Sequence, residues 1–238
     1  MISVRVDDLP HRLHAIVAAC EMESEVIDVK KIVIFGSTGT TGKLLVRQAL
    51  ERGHEVFAFA RRPADIGGKD VRLHRVQGDV MNLVDVQQAV QGMDAALSVL
   101  GVRMGQPQSN LRSVGTDHIV SALTMAGVNR FVSVSTVGAG AHLQSLPWLA
   151  RLLLPHIVGS WRLEEAGRQE NIISSSQLDW TILRPPRLVD GASRGDYRMG
   201  EDMSIGLGAK LARVDLARAI LDQLDSNRYL RSLPTVCG

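Results

Sequence analysis

The sequence predicts an α/β protein with a Rossmann-like, doubly wound and mainly parallel sheet. Three observations lead to this fold class: short apolar runs alternate with segments of helical periodicity, glycines cluster where the first run meets the first helix, and turn residues follow the later runs. The apolar runs are nearly continuous, as in parallel strands that are buried on both faces. We expect residues 30–238 to form this domain and residues 1–29 to be an N-terminal extension, with a helix over 10–22.

Composition excludes several classes of protein. At 238 residues, with 45% hydrophobic side chains, the chain can bury the core of a large α/β domain. The formal net charge of +2 is small and the basic residues are scattered among acids, so we expect no nucleic-acid partner. Cys20 and Cys237 stand at opposite ends of the chain without a metal-ligand spacing, so we expect no metal site and a reducing, cytoplasmic location.

The sequence also gives no sign of a membrane segment. The start of the chain does not resemble an export signal, because acids follow its short apolar stretch. The apolar segment 143–158 is too short to span a bilayer and is interrupted by Pro147, Arg151 and Pro155. We therefore expect no membrane partner, and the oligomeric state stays open.

A glycine-rich turn follows the first predicted strand, Ile32–Phe35. Backbone N–H groups at the N-terminus of the next helix point outward with partial positive charge, and glycine lets a pyrophosphate approach them. The spacing excludes a mononucleotide P-loop, whose glycines stand one residue closer together and whose Lys is followed by Ser or Thr, whereas Lys43 precedes Leu44. The turn is therefore predicted to bind a dinucleotide through Gly36, Ser37, Thr38, Gly39, Thr40, Thr41 and Gly42.

The end of the second predicted strand, His54–Ala60, indicates which dinucleotide binds. An NAD-specific site places an acid there to bind the ribose 2′-hydroxyl. This chain has Arg61 and Arg62 instead, and guanidinium groups suit a 2′-phosphate. We expect NADP(H) to be preferred over NAD(H); the alternative is that both arginines are a solvated strand end.

The next two predicted strands end in residues that suit a bound cofactor. Strand Val71–Val76 is followed by Gly-Asp-Val, in which Asp79 could contact the ligand or only cap the following helix. Strand Asp94–Leu100 ends at Gly101, where the absence of a side chain allows the cofactor to approach the backbone closely.

The fifth predicted strand, Arg130–Thr136, carries hydroxyl groups at its carboxyl end. It follows a predicted helix, Leu111–Ala126, that Gly127 is placed to end in a left-handed conformation. In an open α/β sheet the carboxyl edge is where ligands bind, so Ser135 and Thr136 are candidate active-site residues. The alternative is that these hydroxyl groups only satisfy the backbone of a turn.

Together these segments resemble atypical short-chain dehydrogenases/reductases, in the NAD(P)-binding group of biliverdin-IXβ reductase/flavin reductase and NmrA-like proteins. The resemblance runs from Lys31 to about the C-terminus and is carried by IVIFGSTGTTG (32–42), Arg61, GDV (78–80), Gly101, Ser135-Thr136 and LDWTILRPPRL (178–188). It implies that Asp79 and Val80 lie beside the adenine ring. It also implies an active-site hydroxyl after the fifth strand, matched by Thr136, and a histidine after Pro-Pro, where this chain has Arg187.

The departures from the family pattern limit the chemistry. Most short-chain dehydrogenases use Tyr-x-x-x-Lys to pass a proton to a carbonyl, but neither Tyr197 nor Tyr229 has a lysine four residues on. Ordinary alcohol or ketone chemistry by that route is disfavoured. Arg187 cannot act as a general acid, although it could bind a phosphate, a carboxylate or developing negative charge. The alternative for Arg187 is an exposed loop residue.

The resemblance and the residues together predict an NAD(P)H-dependent reductase that passes hydride to a flat conjugated small molecule: a flavin, a quinone or a tetrapyrrole. Ser135, Thr136 and Arg187 are the candidate catalytic residues. A small acceptor lobe is expected from about 138–160 and 190–212, although the first segment could instead be a buried helix or a subunit contact. The alternative function is an NmrA-like sensor or assembly factor that binds the dinucleotide without turnover.

Overall fold

The computed structural model describes residues 28–102, 105–193, 195–201, 203, 205–206 and 208–238, so the expected helix over 10–22 lies outside it. A six-stranded, all-parallel sheet forms the centre, in the order β3-β2-β1-β4-β5-β6. The predicted Rossmann-like fold is confirmed by this strand order. The strands are β1 Lys31–Phe35, β2 Glu55–Ala60, β3 Leu73–Gln77, β4 Ala95–Ser98, β5 Arg130–Val134 and β6 Asp179–Leu183.

Helices cover both faces of the sheet. They are α1 Thr40–Glu51, α2 Leu83–Ala89, α3 Leu111–Ala126, α4 His142–Ser145, α5 Trp148–Leu154, α6 Ser160–Ser174 and α7 Arg213–Asp222, with a π-helical turn at Pro155–Gly159 and a 3-10 turn at Pro63–Asp65. Helices α1 and α7 pack on one face, and α2, α3 and α6 on the other. Among the described helices, none combines the length and the apolarity needed to cross a membrane.

Strand β1 shows why the sheet is buried on both sides. Ile32 and Ile34 belong to the core beneath α1 and α7, whereas Val33 and Phe35 belong to the core beneath α2, α3 and α6. All four side chains are fully buried. Alternation along a central strand thus fills two cores, which is why its sequence is continuously apolar.

The C-terminal part of the chain adds short strands outside the main sheet. Strand β7, Arg187–Val189, pairs with β9, Lys210–Ala212, and β8, Arg198–Gly200, pairs with β10, Thr235–Cys237. Residues 232 and 235 also form β-bridges along the outer edge of β6, Ser232 with Thr181 and Thr235 with Arg184.

Most predicted elements are present with shifted boundaries. Gly127 ends α3 with φ of 72°, as predicted. Strand β3 begins at Leu73 instead of Val71, because residues 70–73 form a turn that leaves Val71 90% exposed. Helix α7 begins before Asp215, whose side chain is buried within its first turn.

A glycine in α6 generates a stability prediction. A Cβ on Gly167 would lie 2.6 Å from the Cα of Gly140, because the two backbones touch. Replacing glycine with alanine in a helix interior normally stabilises the helix by about 1 kcal/mol. We expect Gly167→Ala instead to lower the free energy of unfolding by about 1–3 kcal/mol, in urea denaturation. Gly67→Ala is the control, since its Cβ would meet nothing within 4 Å; equal effects of the two changes would contradict this packing.

Candidate functional site

The carboxyl edge of the sheet collects the predicted site residues. Because all six strands run parallel, the residues that follow them emerge at one edge. The glycine turn follows β1 in the middle of this edge, Arg61 and Asp79 follow β2 and β3 on one side, and Gly101 and Thr136 follow β4 and β5 on the other.

The glycine turn has the geometry that a bound pyrophosphate requires. Gly36 has φ of +84°, and a Cβ there would lie 2.9 Å from the carbonyl oxygen of Val99, so only glycine fits. The N–H of Gly39 donates to Gly36 O over 3.0 Å, which closes the turn. Helix α1 begins after Gly39 with no side-chain cap and no acid in its first turn. Its N-terminal amides thus remain available to an anion.

Ser37 differs from its neighbours in the turn. Its side chain is fully buried, and its hydroxyl donates to the carbonyl oxygen of Phe59 in β2 over 2.7 Å. The hydroxyl therefore fastens the turn to the neighbouring strand, which leaves the backbone of Ser37 as the part that can meet a ligand. Thr38 and Thr41 are half-buried, and Thr40 is exposed.

Arg61 and Arg62 follow β2, two and three residues beyond Phe59, whose carbonyl oxygen accepts the hydrogen bond from Ser37. Both are exposed. Arg62 lies 3.8 Å from Asp65 in an exposed ion pair, whereas Arg61 forms no hydrogen bond or ion pair with any described residue. The guanidinium of Arg61 is therefore the freer of the two to bind a phosphate.

Asp79 and Val80 are held in a well-connected turn after β3. An Asp79 carboxylate oxygen accepts the N–H of Met81 over 3.0 Å, and the carbonyl oxygen of Val80 accepts a hydrogen bond from His118 over 2.9 Å. Asp79 does not cap the next helix, because Asn82 accepts the N–H of Val84 as the N-cap of α2. The capping alternative is thus wrong, and the second carboxylate oxygen of Asp79 keeps acceptor capacity.

The candidate catalytic residues after β5 and β6 do not point to one common position. The Ser135 side chain is buried, and its Oγ has no hydrogen-bond partner among the described residues, while Thr136 is half-buried. Adjacent residues of an extended chain point to opposite sides, so the two hydroxyls do not form a pair. Arg187 is exposed at the start of β7. The N–H of Val137 donates to Pro185 O over 3.1 Å, which joins the two chain segments.

A buried charged cluster under this edge was not anticipated from the sequence. Arg184 donates two hydrogen bonds to Glu170, at 2.9 and 2.7 Å, with both side chains largely buried. Glu165 accepts from Ser113 and from Arg168, the latter over 2.7 Å. Both carboxylates thus already have a cationic partner.

Arg112 is the remaining cation of this cluster. A Cβ on Gly101 would lie 3.6 Å from its Nη2, so the guanidinium lies beside the end of β4. It forms no hydrogen bond or ion pair with any described residue. Burial lowers the pKa of Arg112 below its usual range, and the charges of Glu170 and Glu165 act against this shift.

His142 of α4 lies in the same neighbourhood. Its Nδ1 accepts the N–H of Gly138 over 3.2 Å, which places the proton of the neutral ring on Nε2. Burial lowers the pKa of His142, the charge of Arg184 lowers it further, and Glu170 opposes both effects. The imidazole is therefore neutral at pH 7.

One sequence signal points to this cluster in retrospect. Leu163, Ala166 and Ile173 are buried at helical spacing in α6, and Glu170 occupies the same stripe. A carboxylate on an apolar stripe requires a buried cation. The partner, Arg184, lies on another element, so periodicity alone does not name it.

The two tyrosines are engaged away from the sheet edge. Tyr197 donates to Asp222 over 2.6 Å, and burial together with Asp222 raises its pKa. Tyr229 donates to the carbonyl oxygen of Met199 over 2.8 Å. Neither phenol is placed to serve as a proton donor, in agreement with the missing Tyr-x-x-x-Lys.

A pocket of about 430 Å³ lies beside the glycine turn, on the α1 and α7 face. Lys43 and Arg213 give it positive charge, and Arg213 is paired with Asp190 over 2.9 Å. The full lining is Thr38, Thr40, Lys43, Leu44, Asp190, Gly191, Arg213 and Val214. Of the two segments predicted to form the acceptor lobe, only 190–212 reaches this pocket; 138–160 packs against α6 on the other face.

The buried pair Glu170–Arg184 yields a second prediction. We expect Glu170→Leu to lower the free energy of unfolding by about 3–5 kcal/mol, because Arg184 is left buried without its counter-charge. Glu170→Leu combined with Arg184→Leu is expected to lose less than the single change. Urea denaturation of wild type and both variants measures the difference. Glu51→Ala, in the exposed pair with Arg47, is the control with an effect within about 0.5 kcal/mol. A single variant as stable as wild type would contradict the pairing.

Comparisons with known proteins agree with this geometry. A family model described as NAD(P)H-binding matches residues 36–227. YwnB of Bacillus subtilis is 28% identical over 216 residues, which span 87% of this chain and 97% of YwnB. A 3-beta-hydroxysteroid dehydrogenase of Mycolicibacterium neoaurum is 34% identical over 52% of this chain, and the match spans only 38% of that enzyme. The photosystem II assembly factor Ycf39 of Synechocystis is 24% identical over 68% of this chain and 46% of its own length.

Solved structures show the same fold at low identity. A short-chain dehydrogenase/reductase of Veillonella parvula, in complex with NADP, has a TM-score of 0.74 at 20% identity, over 87% of this chain and 94% of that chain. ChuY, an anaerobilin reductase of Escherichia coli O157:H7, has a TM-score of 0.70 at 21% identity, over 87% of this chain and 96% of ChuY. With the family match spanning most of the sequence, the chain belongs to the NAD(P)H-binding family.

Proposed function

We propose that this protein is an NADPH-dependent reductase that transfers hydride to a flat conjugated acceptor carrying negative charge. The observation that carries the cofactor half is the glycine turn, where Gly36 and Gly42 leave no room for side chains and α1 presents uncapped amides. The reduced nicotinamide would supply the hydride. The residues of this chain bind and orient the two molecules.

In this proposal the cofactor lies along the carboxyl edge. The turn from Gly36 to Gly42 holds the pyrophosphate, Asp79 and Val80 face the adenine, and Arg61, with Arg62 in support, holds the 2′-phosphate. Gly101 and Thr136 face the nicotinamide side. The preference for NADP(H) over NAD(H) depends on Arg61, whose exposed guanidinium has no described partner.

Arg61→Ala tests the cofactor preference. We expect NADPH affinity to fall at least about tenfold, or 1.4 kcal/mol, because a charge-assisted contact to the 2′-phosphate is lost. NADH affinity should stay unchanged, since NADH lacks that phosphate. Calorimetry of both nucleotides measures this, with Arg47→Ala on the outer surface of α1 as the control. Unchanged NADPH affinity, or an equal loss for NADH, would contradict the assignment.

The acceptor half of the proposal rests on Arg112. Three guanidinium groups, those of Arg112, Arg168 and Arg184, face two carboxylates, and Arg112 is the one that has no hydrogen-bonding carboxylate. The resulting positive charge beside Gly101 favours a carboxylate or phosphate on the acceptor. Thr136 can orient the acceptor by a hydrogen bond. Arg187, which is exposed, is a second candidate to bind the same carboxylate or phosphate.

The acceptor is identified by following the absorbance of NADPH with FMN, riboflavin, quinones and biliverdin, with NADH in parallel. We expect oxidation that depends on one of these acceptors. FMN and riboflavin differ by a phosphate, so Arg112→Gln should raise the KM for FMN more than the KM for riboflavin. An equal change in both constants would show that Arg112 does not bind the anion.

The second candidate function is a dinucleotide sensor or assembly factor. Two observations favour it: both described tyrosines are engaged elsewhere, and one relative, Ycf39, is an assembly factor. Tight NADPH binding without oxidation by any acceptor would replace the reductase with this function. A sensor would also be expected to bind a protein partner in a cofactor-dependent way.

A further inference from the structure

Large apolar side chains are exposed together on α5 and the π-helical turn that follows it. We call Trp148, Leu149, Leu152, Leu153 and Ile157 the lobe patch; they are 74%, 40%, 58%, 37% and 63% exposed. Elsewhere among the described residues, large apolar side chains with comparable exposure are scattered singly along the chain. Scattered apolar residues are normal on protein surfaces, whereas a contiguous group marks an interaction surface.

The lobe patch is the outer face of a segment whose inner face is already packed. Ala150 is buried, and Leu154 contacts Gly138 closely enough that a Cβ on that glycine would overlap it. Gly159, with φ of +97°, ends the segment and turns the chain into α6. The segment is therefore packed in its native position, and the side chains of the lobe patch are exposed although its inner face is buried.

The segment that carries the lobe patch contains basic residues and no acid. Arg151 and His156 are exposed within the same segment. The sequence contains no Asp or Glu from 118 to 163. An apolar face that carries an indole and an arginine, with no acid in its own segment, has the composition of a helix that lies in the interface of an anionic membrane.

A second copy of the chain fits this surface less well. Two copies of the segment would bring Arg151 and His156 together with no acidic residue to pair them. The segment also spans only about three helical turns, whereas a stable protein interface uses about 20–30 residues on each side. Phospholipid headgroups supply the missing negative charge, and acyl chains accept the apolar side chains.

We propose that the lobe patch binds the surface of a membrane containing anionic phospholipid, with Trp148, Leu152 and Ile157 entering the interfacial region. The protein would lie on the bilayer without crossing it. This proposal departs from the sequence-based expectation of no membrane partner, which rested on the absence of an export signal and of a spanning segment. It does not depend on whether the protein turns over NADPH.

Sedimentation with lipid vesicles tests the proposal on the full-length chain. The vesicles contain phosphatidylcholine alone or phosphatidylcholine mixed with phosphatidylglycerol. We expect binding to the mixed vesicles that weakens with salt, and a loss of at least roughly tenfold in partitioning for Trp148→Glu combined with Leu152→Glu. Val71→Glu and Met125→Glu are matched controls, because both residues are exposed elsewhere, at 90% and 73%, and should leave binding unchanged.

Circular dichroism and NADPH calorimetry establish that each variant is folded. Absence of binding to either vesicle would overturn the proposal, and so would equal binding of wild type and the double variant. Equal binding to phosphatidylcholine alone would overturn the choice of anionic lipid. Light scattering that shows a dimer, which the double variant dissociates, with no binding to vesicles, would assign the lobe patch to a second copy instead.

Discussion

The close approach of helix α1 to the end of strand β1 is the constraint on which the rest of the site depends. A Cβ on Gly42 would overlap the carbonyl oxygen of Gly36 and would lie 2.8 Å from the Cα of Ser37. The helix can therefore sit directly over the turn, with its first amides pointing toward the carboxyl edge. The hydrogen bond from Ser37 to Phe59 fixes the same turn to β2, so the turn and the strand end that precedes Arg61 keep one relative position.

The two halves of the proposed site would be built by different means. The cofactor half uses mainly backbone groups and the absence of side chains, and such features survive large changes in sequence. The proposed acceptor half uses side chains from α3, α6 and the end of β6, where Arg168 and Arg184 pair with the two carboxylates and Arg112 has no hydrogen-bonding carboxylate. In the proposed site, the cofactor can therefore be inferred from the backbone of the turn, whereas the acceptor has to be found by experiment.

The elements that could be predicted are those whose cause is local. The apolar run Ile32–Phe35, the glycine turn and the left-handed Gly127 each follow from adjacent residues, and all are present. The inward turn of Ser37 depends on a carbonyl 22 residues away, and the pairing of Glu170 with Arg184 joins a helix to a strand end. Such contacts depend on tertiary packing, which cannot be predicted from the periodicity of the sequence. For the same reason the segments 138–160 and 190–212 could be marked as additions, but not assigned to opposite faces.

The strand order has a consequence for synthesis on the ribosome. Each strand from β2 to β6 pairs with a strand that precedes it in the chain, so the sheet can extend as the nascent polypeptide emerges. The exception is the edge of β6, which residues 232–235 cover through bridges to Thr181 and Arg184. Those residues follow all six strands of the sheet in the chain. Until residues 232–235 have been synthesised, the outer edge of β6 therefore stays uncovered, and such an edge can pair with another unfolded chain.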